Sequence, residues 1–198
     1  MSGLADDLAG LLDALSVTEP VAFCGLSMGG YIAWEFWQRH GDRVNSLILC
    51  DTRAAADPPA TARGRLESAH RVLDGELTTV VDGMLPKLFS SRTRADQPDV
   101  VASTRQVMYQ TNPQTVASAL RGLATRTDFE DRLREIRVPA LVLCGEEDPI
   151  SPPAEMRRIA EALGGPSQFA AISNAGHMAP VEQPQQVNQH LAAFLARC

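Results

Sequence analysis

Residues 21–39 join a short apolar run to a helical pattern through Gly25-Leu26-Ser27-Met28-Gly29, and this junction constrains the chain more than any other feature. Val21-Ala22-Phe23-Cys24 reads as a buried strand. Residues 28–39 return to helical spacing, with Tyr31, Trp34 and Trp37 as bulky positions. A strand that turns into a helix within one or two residues forces a sharp bend. The G-x-S-x-G pattern in that context holds a serine in a strained conformation with its oxygen exposed. Gly25 and Gly29 are expected to lack side chains because strand and helix approach closely there. The helix start adds unpaired N–H groups and a positive dipole end beside Ser27. The Met28 N–H is thereby a candidate oxyanion donor.

The strand–helix alternation continues elsewhere. Leu47–Cys50, Ala140–Cys144 and the weaker Gln168–Ile172 are further strand candidates. Residues 3–15, 153–163 and the stretch after Pro184 carry helical spacing. Alternation of this kind predicts right-handed crossovers and a parallel sheet covered on both faces. Residues 57–135 break the pattern. They read as helices over 59–74, 77–88, 98–110 and 113–124, with Pro98 and Pro113 near helix starts. The expected α/β organisation is a core of 1–56 and 136–198, with a helical lid of 57–135 inserted between the second and third strands. Met84, Leu85, Leu88, Phe89, Met108, Leu120 and Leu123 are candidates to line a pocket beneath it, although most such residues pack a lid's own core.

Composition narrows the function classes. At 198 residues the chain suits one domain with an insertion. Its 44% hydrophobic and 21% charged content is that of a folded protein. A net charge of −6 disfavours non-specific nucleic-acid binding. The acidity is uneven, since residues 52–137 hold 13 basic and 11 acidic side chains. That basic excess favours an anionic substrate under the lid. The N-terminus carries no secretory pattern, and no apolar run is long enough for a membrane span, so a cytoplasmic location is expected. Cys24, Cys50, Cys144 and Cys198 form no metal or redox motif. The three that end strand-like runs are expected to be buried. Neither a metal nor a nucleotide cofactor is implied.

A serine hydroxyl needs a base, and the base needs an orienting acid. His40 sits at a helix end, His70 in a charged helix, and His190 in the last helix. His177 differs, because Asn174–Pro180 follows the fourth strand, where a parallel sheet builds its sites. For the acid, Asp148 follows the third strand and Pro149 fixes its loop, while Asp51, directly after the second strand, is the rival. Glu146 and Glu147 read as a solvated face.

The order Ser27…Asp148…His177 resembles that of the α/β-hydrolase fold. The matching pieces are Gly25-Leu26-Ser27-Met28-Gly29-Gly30, Cys144–Asp148, and Gly176-His177-Met178 with Glu182 and Pro184 behind. Within that fold the chain is similar to the branch of enol-lactone hydrolases, small esterases and cofactor-free haloperoxidase-like enzymes. The resemblance implies hydrolysis of a small carboxylic ester or lactone by a Ser-His-Asp triad. Its alternatives are a haloperoxidase or perhydrolase activity on the same triad, or an inactive remnant. In the family, strands preceding the serine supply a second oxyanion N–H, yet here only 26 residues precede Ser27. Loss of one donor costs about 2.7–4 kcal/mol of transition-state stabilisation. Strand 21–24 is then an uncovered edge through which the chain self-associates. The sequence is read as a fragment or internal start, in preference to a chain completed by a partner or a degenerate remnant, because residues 4–15 resemble a mid-chain helix without an adapted cap.

Overall fold

The four apolar runs become four parallel strands. In the computed structural model, which describes residues 1–197, β1 (Val21–Leu26), β2 (Val44–Cys50), β3 (Ala140–Gly145) and β4 (Ser167–Ile172) lie side by side in that order. The register pairs Leu26 with Cys50, Cys50 with Leu143, and Leu143 with Ala170. The carboxyl ends are therefore nearly level, and the segments that leave them emerge along one rim. β3 is buried at every residue, as a continuous apolar run in a central strand should be.

The helices follow in chain order. α1 (Ser2–Ala14) and α2 (Met28–His40) flank β1. Between β2 and β3 come α3 (Pro59–Arg71), α4 (Leu77–Leu88), α5 (Ser91–Asp96), α6 (Pro98–Gln110) and α7 (Pro113–Ala124). α8 (Pro153–Ala162), α9 (Ala179–Glu182) and α10 (Pro184–Leu195) complete the set. The helix expected over 59–74 stops at Arg71 and passes into a π-helical stretch, Val72–Glu76, where Gly75 takes φ +95°. α5, α9 and a 3₁₀ turn at Glu130–Glu135 are too short to show a period, and the sequence does not predict them.

Strand alternation divides the core in two. On one face Leu47, Leu49, Val142 and Cys144 pack with Trp34, Phe36, Met156 and Ile159. On the other, Ile48, Leu141, Leu143 and Ile172 pack with Val187 and Phe194 of α10. Each such large side chain contributes about 1.5–3 kcal/mol on burial. The helices between β2 and β3 hold a separate cluster of Val81, Leu85, Leu88 and Phe89, with Met108 packed against it. Leu123 packs instead on the main core, while Met84 and Leu120 line an open cleft. Of the seven residues expected to line a pocket, these last two alone do so in that cleft.

Arg126 fastens the two ends of the inserted segment. Its guanidinium is buried against the buried Asp57 carboxylate at 2.7 Å. Its Nε donates to the Ala55 carbonyl at 3.0 Å, and it lies 4.5 Å from the Tyr31 ring centre on α2. Arg65 of α3 also pairs with Asp57. Among the described residues no helix is long and apolar enough to cross a membrane.

The expected burial holds for Cys50 and Cys144 but not for Cys24, which is exposed. β1 is an edge strand, and α10 lies against β4 at the opposite side of the sheet. Cys198 lies outside the described residues.

Candidate active site

Ser27 stands between β1 and α2 with φ +50° and ψ −109°, in the positive-φ region that L-residues rarely adopt. The conformation is imposed from both sides. The Ser27 N–H donates to the Cys50 carbonyl at 2.9 Å, and the Ser27 carbonyl accepts from Gly30 N–H at 2.9 Å and from Thr52 Oγ1 at 2.8 Å. Such strain costs of order 1–3 kcal/mol and persists only where the surroundings over-determine it. Asp51 (φ +46°) and Asn174 (φ +59°), just beyond β2 and β4, share the feature, so strained backbone clusters along the rim.

The glycine expectation is half right. A Cβ on Gly25 would lie 2.3 Å from the Gly29 carbonyl oxygen, so strand and helix do meet there. A Cβ on Gly29 would meet nothing within 4 Å. The second crowded position is Gly30, where a Cβ would lie 2.3 Å from Thr52 Oγ1. The crowding on that side comes from β2's exit rather than from β1.

The structure brings Ser27, His177 and Asp148 into one hydrogen-bonded chain. Ser27 Oγ lies 2.8 Å from His177 Nε2, and His177 Nδ1 lies 2.8 Å from Asp148 Oδ2. With Asp148 ionised, Nδ1–H donates to the carboxylate and Nε2 is left to accept the serine proton. Asp148 Oδ1 accepts from the Ile150 N–H at 2.7 Å and the Ser151 N–H at 3.1 Å. The imidazole is 2% exposed and Asp148 3%, so water competes little for these bonds. Met28, whose N–H opens α2, follows Ser27 directly.

The loop that carries His177 is held largely by the inserted helices. The buried Glu182 carboxylate accepts from Gly176 N–H at 2.7 Å and from Ser90 N–H at 2.8 Å. Met178 N–H donates to the Leu88 carbonyl at 3.1 Å, and Ser90 Oγ donates to the Asn174 carbonyl at 3.1 Å. Glu182 entered the sequence argument only as part of a motif, and its tie to Ser90 spans 92 residues.

Asp51 lies beside this chain and makes no hydrogen bond to His177. It is fully buried, and its Oδ1 accepts from Gly145 N–H at 2.8 Å. Burial pushes its carboxyl well above the usual carboxylate range, reinforced by the negative charges of Asp148 and Glu182. Ligand atoms of Asp51, Asp148 and His177 lie within 4.8 Å of one another. Both His177 nitrogens already engage Ser27 and Asp148, so the set serves proton handling better than cation binding.

Glu147 keeps the exposure expected of a solvated face and adds a tie to α5. It is exposed, yet its carboxylate accepts from Ser91 N–H and Oγ, both at 2.8 Å, and those bonds hold it below its usual range. Glu146 is exposed, as are His70 and His190. His40 ends α2 and lies 2.9 Å from Asp6 of α1. The Cys24 thiol is drawn down to about 7 by hydrogen bonding to Cys50, whose own thiol is pushed up.

Comparison with known proteins identifies the fold. A family model described as alpha/beta hydrolase fold matches residues 1–184. A thermophilic esterase from Thermogutta terrifontis superposes with a TM-score of 0.96 at 40% identity, over 99% of this chain and 72% of its own. The 3-oxoadipate enol-lactonase 2 of Acinetobacter baylyi is 27% identical over 98% of this chain and 70% of its own. A Mycobacterium tuberculosis structure that carries a non-heme bromoperoxidase name superposes with a TM-score of 0.79 at 26% identity, over 98% of this chain and 72% of its own.

Proposed function

The chain belongs to the α/β-hydrolase fold family, and from that premise we propose that it is a serine hydrolase acting on a small carboxylic ester or lactone. The observation that carries the reading is the unbroken run of short contacts from Ser27 Oγ through His177 to Asp148, at 2.8 Å each.

The chemistry follows from the positions. Ser27 Oγ attacks the substrate carbonyl carbon as its proton passes to His177 Nε2. Asp148 keeps the Nδ1 proton in place and stabilises the imidazolium. The carbonyl oxygen becomes an oxyanion that takes the Met28 N–H at the positive end of α2. Collapse breaks the ester C–O bond, and His177 returns its proton to the leaving alkoxide. Water then attacks the acyl-serine by the same route and releases the acid.

The cleft between the inserted helices and the loop after Asp148 supports a reading of the substrate class. This open cleft of about 480 Å³ is lined by Met84, Leu120, Ile150 and Lys87, and by Arg65 and Arg71, which pair with Asp57 and Glu76. Ile150 is also the residue whose N–H holds Asp148. Apolar walls beside Lys87 suit a small ester or lactone that carries a carboxylate, in keeping with a relative named for a 3-oxoadipate lactone.

Labelling with a fluorophosphonate, read by intact mass, tests the reading. Wild type gains one adduct and Ser27→Ala gains none, with kcat toward small esters lowered about 10⁶-fold. A folded wild type that takes no label overturns it. The bromoperoxidase-named relative favours a second reading, perhydrolysis on the same residues. Product formation that requires hydrogen peroxide as well as a carboxylic acid identifies it.

A further inference from the structure

Buried acids elsewhere in the molecule have evident partners. Glu35 accepts from Thr127, Asp57 pairs with Arg65 and Arg126, and Glu182 accepts two backbone N–H groups. Asp51 is different. One oxygen accepts from Gly145 N–H, while Oδ2 is buried and meets no donor. Its neighbour is the Asp148 carboxyl, within the same 4.8 Å cluster.

Two carboxyl groups that face each other in a dry site do not both ionise, and a proton between them turns repulsion into a hydrogen bond. Its location follows from the donors each receives. Asp148 accepts from His177 Nδ1–H, Ile150 N–H and Ser151 N–H, all of which favour its charged form. Asp51 accepts from Gly145 N–H alone.

We propose that Asp51 is a positioning residue that stays neutral near pH 7, its Oδ2–H donating to Asp148 and holding that carboxylate against His177. This inference rests on reading Ser27, His177 and Asp148 as the reacting set. Burial and the Asp148 and Glu182 charges, which raise the Asp51 carboxyl, agree with it. The consequence is one negative charge beside the imidazole instead of two.

The test combines infrared spectroscopy with pH–rate profiles. Wild type with isotope-labelled aspartate is expected to show a protonated-carboxyl C=O band near pH 7 that shifts with the label and is lost in Asp51→Asn. Absence of that band in folded wild type overturns the proposal, and this measurement needs neither a variant nor activity. The acid limb of kcat/KM is expected at the same pH in wild type and Asp51→Asn, because position 51 is neutral in both. A limb moved to lower pH by a unit or more shows that Asp51 was ionised and overturns it. Asp51→Leu, which removes the donor, is expected to lower kcat about 100-fold with KM unchanged, and Asp51→Asn to recover part of the loss. Failure of fluorophosphonate labelling with the infrared band present sinks the hydrolase reading and leaves the protonated Asp51 standing.

Discussion

Glu182 ties the His177 loop to the inserted helices. Its carboxylate satisfies two buried N–H groups, one on the His177 loop and one at the start of α5. Glu182→Ala strands both, at about 1–3 kcal/mol each. In a chain of this size that lowers the melting temperature by roughly 5–15 °C, checked by calorimetry against Glu182→Gln, which keeps an acceptor. Asp51 gives a pH-dependent signature. Its folded-state affinity for a proton is raised above the ordinary value of 3.8, so its contribution is fully present below about pH 4 and is lost as pH rises toward the raised value. Wild type should therefore lose stability relative to Asp51→Asn as pH rises above about 4, read as the difference in melting temperature. Residue types and order pointed to Ser27 and His177 in the sequence and preferred Asp148 to Asp51. Deciding between Asp148 and Asp51 needed the fold, because both follow strands on one rim and only the 2.8 Å contact to His177 Nδ1 separates them. The Glu182–Ser90 bond was invisible for a related reason. A pairing across 92 residues leaves no trace in local periodicity.

At the scale of elements, legibility tracked length and punctuation. Pro59, Pro98, Pro113, Pro153 and Pro184 each sit in a helix's first turn, where the missing N–H is no loss, and those starts were readable. α5 spans 6 residues and α9 spans 4, too few to show a face. The anchoring of the inserted helices was equally hidden, since it depends on Arg126 reaching back to Ala55 and Asp57. Arg126→Met leaves Asp57 with Arg65 as its remaining cation and is expected to cost about 3 kcal/mol. Limited proteolysis should then cut first within 55–60 and 124–128, at the two ends of the segment, while the cores of α2 and β3 resist. Uniform destabilisation with no preferred cut would refute the clasp.

On the scale of the whole molecule, the sheet is asymmetric. β3 is covered throughout, whereas β1 offers an edge with Ala22 and Cys24 exposed. An apolar hollow of about 270 Å³ beside that edge is lined by Leu8, Leu11, Phe23 and Phe36. An unpaired parallel edge is a template for another strand. The 198-residue chain is expected to associate with rising concentration, and Ala22→Lys, which sets a charge on that edge, should reduce the association seen by sedimentation velocity. A wild type that stays monomeric over the same range would count against it.

The seating of the His177 loop on Leu88 and Ser90 bears on protein engineering. Helical insertions invite exchange between relatives as a route to new specificity. Here the insertion is not a detachable module, because it supplies a carbonyl and an N–H that hold the His177 loop. A transplant that replaces residues 57–135 wholesale would remove those contacts together with the old pocket. A chimera retaining residues 88–90 and Glu182 would exchange the walls without disturbing the hydrogen-bonded chain of Ser27, His177 and Asp148.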